Sequence, residues 1–312
     1  MKPEILVASQ MPAPTMRALE ENFTLHKLYE AEDQAAFLAG IKDRVRGIAT
    51  SGGKGASAAL MDAVPKTEII ANFGVGYDAV DVGAAKARNI AVTNTPDVLT
   101  DDVADLALAL LLDAARLVSR ADRFVRAGQW LKGNHPLGHA VAGKKLGIVG
   151  LGRIGAAIAT RAEAFKLQVS WYGPRPKPDV KWPYVADLVA LARDVDFLCV
   201  ICPLTKDTHH LITREVIEAL GPEGTLINVA RGPVVDEPAL VEALKAGKLG
   251  HAALDVFEDE PRVPEALLAM DNVVLLPHQG SATIETRTAM GQLVVDNLVA
   301  HFAGQPLLTR VA

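Results

Sequence analysis

The chain has 312 residues, half of them apolar and 22% charged, an ordinary globular composition with length for two cores rather than one. A net charge of −5 leaves no basic surplus for gripping nucleic acid or an anionic membrane surface, so any anion site must be local. The longest apolar stretches, such as residues 106–112, fall far short of the ~20 residues that cross a bilayer. The N-terminus runs straight into an apolar strand pattern without a secretory leader, so a cytoplasmic protein is expected.

Four short apolar runs, at residues 5–8, 45–50, 68–72 and 90–93, alternate with helical patterns at 16–22, 34–39 and 58–64. Such alternation predicts a small parallel sheet covered on both faces. A longer helix follows, with Thr100 as its cap, Asp101 and Asp102 in an acidic first turn, and apolar residues nearly all round from 104 to 118. A helix apolar on every side must be buried, at a domain or subunit interface.

From Gly143 the alternation restarts. Six strands are predicted at 145–149, 168–172, 195–201, 225–229, 251–256 and 273–276, with helices at 154–165, 187–192 and 237–246 between them. That is the pattern of a Rossmann-type, doubly wound parallel sheet. A last amphipathic helix, 282–302, lies beyond the final strand and is expected to return to the first domain. The smaller α/β domain is then discontinuous, residues 1–98 with 285–312, around a dinucleotide domain of 99–284.

Cys199 and Cys202 are the two cysteines, and their spacing raises a redox or metal reading. They fall in the apolar run 196–202, read as a buried strand, where residues three apart face opposite sides with Cα atoms ~10 Å apart. A disulfide needs Cα atoms within ~7 Å. With no further cysteine or neighbouring His pair counted beside them to complete a shell, structural thiols and no metal are expected.

The run Gly150-Leu-Gly152-Arg153-Ile154-Gly155 places a G-x-G-x-x-G directly after a strand and at a helix start. Gly150 permits the tight turn, Gly152 lets a pyrophosphate approach the backbone, and Gly155 allows close helix packing beneath the phosphate-binding N–H groups. An NAD site would carry Asp or Glu at the end of the next strand. Here Arg175 and Lys177 stand there instead, a cationic pair that suits the 2′-phosphate of NADPH. The alternative, that both are solvated loop charges, leaves NAD open.

Three later strand ends carry candidate reaction groups, namely Arg231, Glu260 and His278. In an open α/β sheet that edge is where ligands bind. Reducing a 2-oxo acid needs a cation for the carboxylate, which the planar fork of Arg231 suits. It also needs an acid for the developing alkoxide, which suits His278, whose residue type titrates near neutrality. A carboxylate beside the ring, Glu260, would favour the imidazolium and fix its tautomer.

Over nearly its whole length the sequence resembles the D-isomer-specific 2-hydroxyacid dehydrogenases, and within them the glyoxylate and hydroxypyruvate reductases. The matching segments are 73–78, 94–96, Thr100, the glycine fingerprint, 228–236, 255–261 and Pro277-His278. The resemblance implies a flavodoxin-like smaller domain for substrate, catalytic roles for Arg231, Glu260 and His278, and backbone donors at Val75 and Gly76 for the substrate carboxylate. It also implies a pocket loop of Ser51, Gly52, Gly53 and Lys54, and cofactor contacts from Thr100, Arg153, Ile154, Cys202, Thr208, Val229, Asp255 and Ser281. A cytosolic homodimer acting on a small 2-oxo acid is the implied assembly. The formate branch has Gln at the position of Glu260, and the phosphoglycerate branch has a long C-terminal extension, so both are disfavoured. Phosphohydroxypyruvate, 2-ketogluconate or a bulkier 2-oxo acid stay open as substrates, as does a coenzyme-sensing corepressor without turnover.

Overall fold

The computed structural model describes residues 2–312. The chain forms two compact units, one of residues 2–99 with Thr283–Ala312, the other of Thr100–Ala282. The first holds strands β1 (Glu4–Val7), β2 (Thr24–Lys27), β3 (Val45–Ser51), β4 (Ile69–Phe73) and β5 (Ala91–Thr93). All pair in parallel, in the order β2-β1-β3-β4-β5. This is the flavodoxin-type order. Helices α1 (Ala13–Asn22), α2 (Gln34–Ile41), α3 (Ala58–Ala63) and α4 (Val82–Ala87) cross between the strands. Asp33, Ser57 and Asp81 cap α2, α3 and α4, each side chain accepting from an N–H of the first turn. Two of these elements were not legible as apolar runs. Strand β2, Thr-Leu-His-Lys, lies on the sheet edge with little burial, and α4 is six residues long.

The second unit opens with α5 (Thr100–Arg116) and α6 (Val118–Arg126). Thr100 is the first helical residue rather than the cap, and Asp101 and Asp102 occupy the first turn. The expected continuous helix to residue 118 is broken at Leu117, whose backbone is left-handed (φ 55°). The Ser119 N–H donates to Asp113 across that break. Strands β6 (Lys145–Val149), β7 (Gln168–Tyr172), β8 (Phe197–Val200), β9 (Thr225–Asn228), β10 (His251–Leu254) and β11 (Val273–Leu275) alternate with α7 (Arg153–Ala164), α8 (Leu188–Asp194), α9 (Arg214–Leu220), α10 (Glu237–Lys245) and α11 (Glu265–Leu268). Every strand pairs in parallel, in the order β11-β10-β9-β8-β6-β7. The fold is therefore Rossmann-type α/β, with the order of strand addition reversing between β6 and β8. A crevice for ligand opens at such a switch point, beyond the carboxyl ends of the strands. β8 ends at Val200, so Cys202 sits in the loop after it rather than in the strand. Burial pushes the Cys199 thiol up to about 12 and that of Cys202 up to about 11, which leaves both as inert, free sulfhydryls.

The chain then returns to the first unit as α12 (Ile284–Phe302), which buries Met290, Val294, Val295 and Leu298. Gly291 lets α12 approach α1, since a Cβ there would sit 1.9 Å from the Thr15 hydroxyl. Fully buried Asn297 fastens the C-terminal tail. Its Nδ2 donates to the Leu293 carbonyl (2.8 Å) and the Thr309 hydroxyl (2.9 Å), while its Oδ1 accepts the N–H groups of Leu308 (3.0 Å) and Thr309 (3.2 Å). Among the described residues no helix is long and apolar enough to cross a membrane. Replacing buried Asn297 by Leu removes four hydrogen bonds and leaves the Leu308 and Thr309 N–H groups without their acceptor, and chemical denaturation should show the protein less stable by about 2–4 kcal/mol.

Candidate active site

Arg231, Glu260 and His278 stand on the loops that follow β9, β10 and β11, three neighbouring strands. Asn228, the last residue of β9, shapes the first loop: its Oδ1 accepts the Ala230 N–H (3.0 Å) and its Nδ2 donates to the Arg231 carbonyl (3.1 Å). Gly232 then passes so close to Phe257 that a Cβ would lie 1.9 Å from that residue's carbonyl carbon. The loop after β9 is thereby pressed onto the loop after β10. In that second loop the Phe257 N–H donates to Glu260 Oε1 (3.2 Å).

The third loop hangs from Asp255, a carboxylate only 1% exposed at the end of β10. Its Oδ1 accepts the Gln279 N–H (2.6 Å), its Oδ2 accepts the Gly280 N–H (2.8 Å), and its carbonyl accepts the His278 N–H (2.8 Å). His278 turns through the left-handed region (φ 54°) under this hold. Burial pushes the Asp255 carboxyl above its ordinary range, against the pull of the two N–H groups.

The imidazole of His278 meets Glu260 at 2.7 Å, Nδ1 to Oε2. Burial acts to raise the Glu260 carboxyl, but the hydrogen bond and charge of His278, the Phe257 N–H and the Arg231 charge outweigh it. Glu260 is therefore held below the ordinary carboxylate range and is an acceptor at neutral pH, which requires Nδ1 to carry the hydrogen. The ring's other nitrogen, Nε2, is left for proton exchange.

The glycine fingerprint lies beside this edge in the same unit. Gly150 has φ 100° and runs against the backbone of Cys202, where a Cβ would meet Cα and N at 2.8 Å. Gly155 passes the Gly150 carbonyl so closely that a Cβ would fall 2.2 Å from it. At Gly152, the N-cap of α7, a Cβ would project into open space, and no side chain caps the helix. Arg153 and Ile154 form its first turn. A Cβ-free approach to the N-terminus of a twelve-residue helix fits the pyrophosphate of a dinucleotide.

Arg175 is exposed on the loop after β7. Lys177 folds back from the same loop, its Nζ donating to the Leu151 carbonyl of the glycine turn and lying 5.9 Å from the centre of the buried Trp171 ring. Thr100 begins α5, Thr208 donates to the Pro203 carbonyl (2.6 Å), and Val229 follows β9 with its side chain buried. Ser281 is half-buried just beyond the Asp255-held loop.

The residues 51–54 and 75–76 belong to the first unit. Ser51 closes β3, and its hydroxyl accepts the Lys54 N–H (3.4 Å) around Gly52 and Gly53, while the Gly52 N–H donates to the Phe73 carbonyl. Asn72 Nδ2 donates to the carbonyls of Gly74 (3.1 Å) and Gly76 (3.0 Å), and Asn94 Nδ2 donates to that of Val75 (2.9 Å). In a trans peptide the N–H points opposite to the carbonyl. Turning the carbonyls of Gly74 and Val75 inward therefore turns the N–H groups of Val75 and Gly76 outward. Neither asparagine had a stated role in the sequence, because a buried amide that aims backbone looks like any other polar core residue.

Residues 108–280 match the family model for the D-isomer specific 2-hydroxyacid dehydrogenase, NAD binding domain. The chain belongs to that family. It is 50% identical over 307 residues to a hydroxyphenylpyruvate reductase of Plectranthus scutellarioides and 48% identical over 307 to glyoxylate/hydroxypyruvate reductase A of Arabidopsis thaliana, covering 98% of each and being covered to 98%. Among solved structures it superposes with a TM-score of 0.92 on the NADPH-dependent glyoxylate/hydroxypyruvate reductase of Sinorhizobium meliloti in complex with NADP and malonate. That pair is 46% identical, with 100% of this chain and 97% of the other covered. The protein is thus an oxidoreductase acting on 2-oxo or 2-hydroxy acids with a nicotinamide dinucleotide. Gly150→Ala, which drives a Cβ into Cys202, should weaken binding of reduced coenzyme about tenfold or more in a fluorescence titration.

Proposed function

We propose that the protein reduces small 2-oxo acids, glyoxylate and hydroxypyruvate foremost, with NADPH as coenzyme. The carrying observation is the Arg231, Glu260 and His278 group, in which one ion-pair-competent carboxylate fixes the tautomer of the ring and feels the charge of the guanidinium. Bound coenzyme supplies hydride to the carbonyl carbon. Arg231 holds the carboxylate and polarises the ketone through its paired N–H groups. His278 delivers the proton from Nε2 to the carbonyl oxygen as alkoxide charge develops, so hydride and proton together yield the 2-hydroxy acid. Glu260 positions the ring and fixes its tautomer through Nδ1. Val75 and Gly76 are proposed as backbone donors to the substrate carboxylate, with residues 51–54 beside them.

NADPH is preferred in this reading because Arg175 and Lys177 replace the acidic residue that would bind a free ribose hydroxyl. The likeness to an NADPH-dependent reductase supports it. A homodimer is also proposed, supported by the exposed apolar side chains of Val118, Val125, Trp130, Leu131 and Leu137 along one stretch of the second unit. A second reading, an aryl-substituted 2-oxo acid as the preferred substrate, is favoured by the 50% identity to the hydroxyphenylpyruvate reductase.

Steady-state kcat/KM for glyoxylate, hydroxypyruvate and hydroxyphenylpyruvate with each reduced coenzyme decides between these readings. Negligible turnover across the panel would instead point to a coenzyme sensor. His278→Ala should lower kcat by roughly 10²–10⁴-fold while reduced-coenzyme binding is kept. Glu260→Gln puts a neutral amide where the carboxylate fixes the ring's tautomer, and should lower kcat about tenfold or more while reduced-coenzyme binding is kept. Arg175→Ala should raise KM for NADPH about tenfold and leave that for NADH nearly unchanged.

A further inference from the structure

Outside the catalytic group, a second cluster of ligating side chains lies on the same unit. His209 and His210 are in the loop between β8 and α9, and Glu258 is in the loop after β10. One ligand atom from each lies within 4.8 Å of the other two. Consecutive side chains on extended backbone point to opposite sides. Here His210 adopts the left-handed region (φ 50°), and the two imidazoles come to lie on one side with ring centres 4.1 Å apart and planes 31° apart. His210 Nε2 reaches Glu258 Oε1 at 3.3 Å. The loop that bears the pair is pinned: the His209 N–H donates to the Thr205 carbonyl (3.0 Å) and the His210 N–H to the Pro233 carbonyl (2.8 Å).

We propose that His209, His210 and Glu258 form a binding site for a borderline divalent transition cation of the zinc, cobalt or nickel type. Two neutral imidazole nitrogens and one carboxylate are the donor set such ions take, whereas magnesium and calcium prefer oxygen alone. The spacing suits ligands at ~2.0–2.2 Å around one ion, whose donor atoms stand closer than about 4.4 Å in any geometry, after small side-chain rotations. His209 and Glu258 are exposed and His210 half-buried, so solvent can reach the centre and water can fill the remaining positions.

Glu237 places a further carboxylate beside the site, its Oε2 accepting the Glu258 N–H (3.2 Å), while the neighbouring Asp259 is paired with Arg262 at 2.7 Å. A cation at the histidine pair would tie the loop that carries Thr208 to the segment that carries Glu260, without using any of the three groups that act on substrate. The histidine pair begins seven residues beyond Cys202, on the loop that follows β8.

The test is calorimetric titration of the full-length, tag-free, chelator-treated protein with zinc chloride, paired with cobalt(II) titration read by its visible d–d absorbance. One equivalent of each ion is expected to bind in wild type and in His278→Ala, and to be undisturbed by excess magnesium. His209→Ala and Glu258→Gln should each weaken binding about tenfold or more. His209→Ala changes an exposed ring, and circular dichroism with reduced-coenzyme binding confirms that both variants fold. The proposal is overturned if no saturable binding occurs, if magnesium competes, or if binding survives in His209→Ala but disappears in His278→Ala, which would place the ion on the catalytic imidazole.

Discussion

The position of the His278 imidazole depends on a buried carboxylate at the end of the neighbouring strand. Asp255 takes the N–H groups of Gln279 and Gly280 on its two side-chain oxygens and that of His278 on its carbonyl. A chain held at three consecutive N–H groups has little freedom left, and His278 accepts a left-handed backbone as the result. Its ring then meets Glu260 at 2.7 Å. Removing water from Asp255 is unfavourable, and two short charge-assisted hydrogen bonds oppose part of that cost and hold the loop.

The same economy recurs at the neighbouring strand ends. Asn228 folds the Arg231 turn by accepting at one atom and donating at the other, and Gly232 lets that turn rest on Phe257. Gly150 does likewise against Cys202 across the point where the order of strand addition reverses. These contacts leave no room for a Cβ, so the loops that bear Arg231 and Glu260 and the turn that bears the glycine fingerprint are packed against their neighbours rather than standing as free segments.

Much of this was legible in the residues themselves. Strands β6 to β11 read clearly because parallel strands buried on both faces are continuous apolar runs. The glycine spacing after a strand announced the tight turn at the start of α7, and the strand pattern implied what the structure shows, that Arg231, Glu260 and His278 stand at three neighbouring strand ends. What failed to read was local and context-made. β2 is a short edge strand of mixed polarity, and its place depends on pairing with β1 rather than on its own pattern. The break at Leu117 interrupts an unbroken apolar periodicity with a left-handed residue that has no glycine to announce it. Cys202 continues an apolar run in sequence but leaves the sheet after Val200 to close on Gly150. The inward aim of Asn72 and Asn94, which fixes which way the Val75 and Gly76 peptides face, exists only once β4 and β5 are side by side.

The burial of both sulfhydryls carries a practical corollary. Cys199 is enclosed within β8 and Cys202 is closed over by the glycine turn, each with its thiolate strongly disfavoured. Alkylating and oxidising reagents act on thiolate that solvent can reach. The native fold is therefore silent toward maleimide chemistry, and a fluorophore or spin label attached at a newly introduced surface cysteine would report from that one place without first stripping the protein of its own.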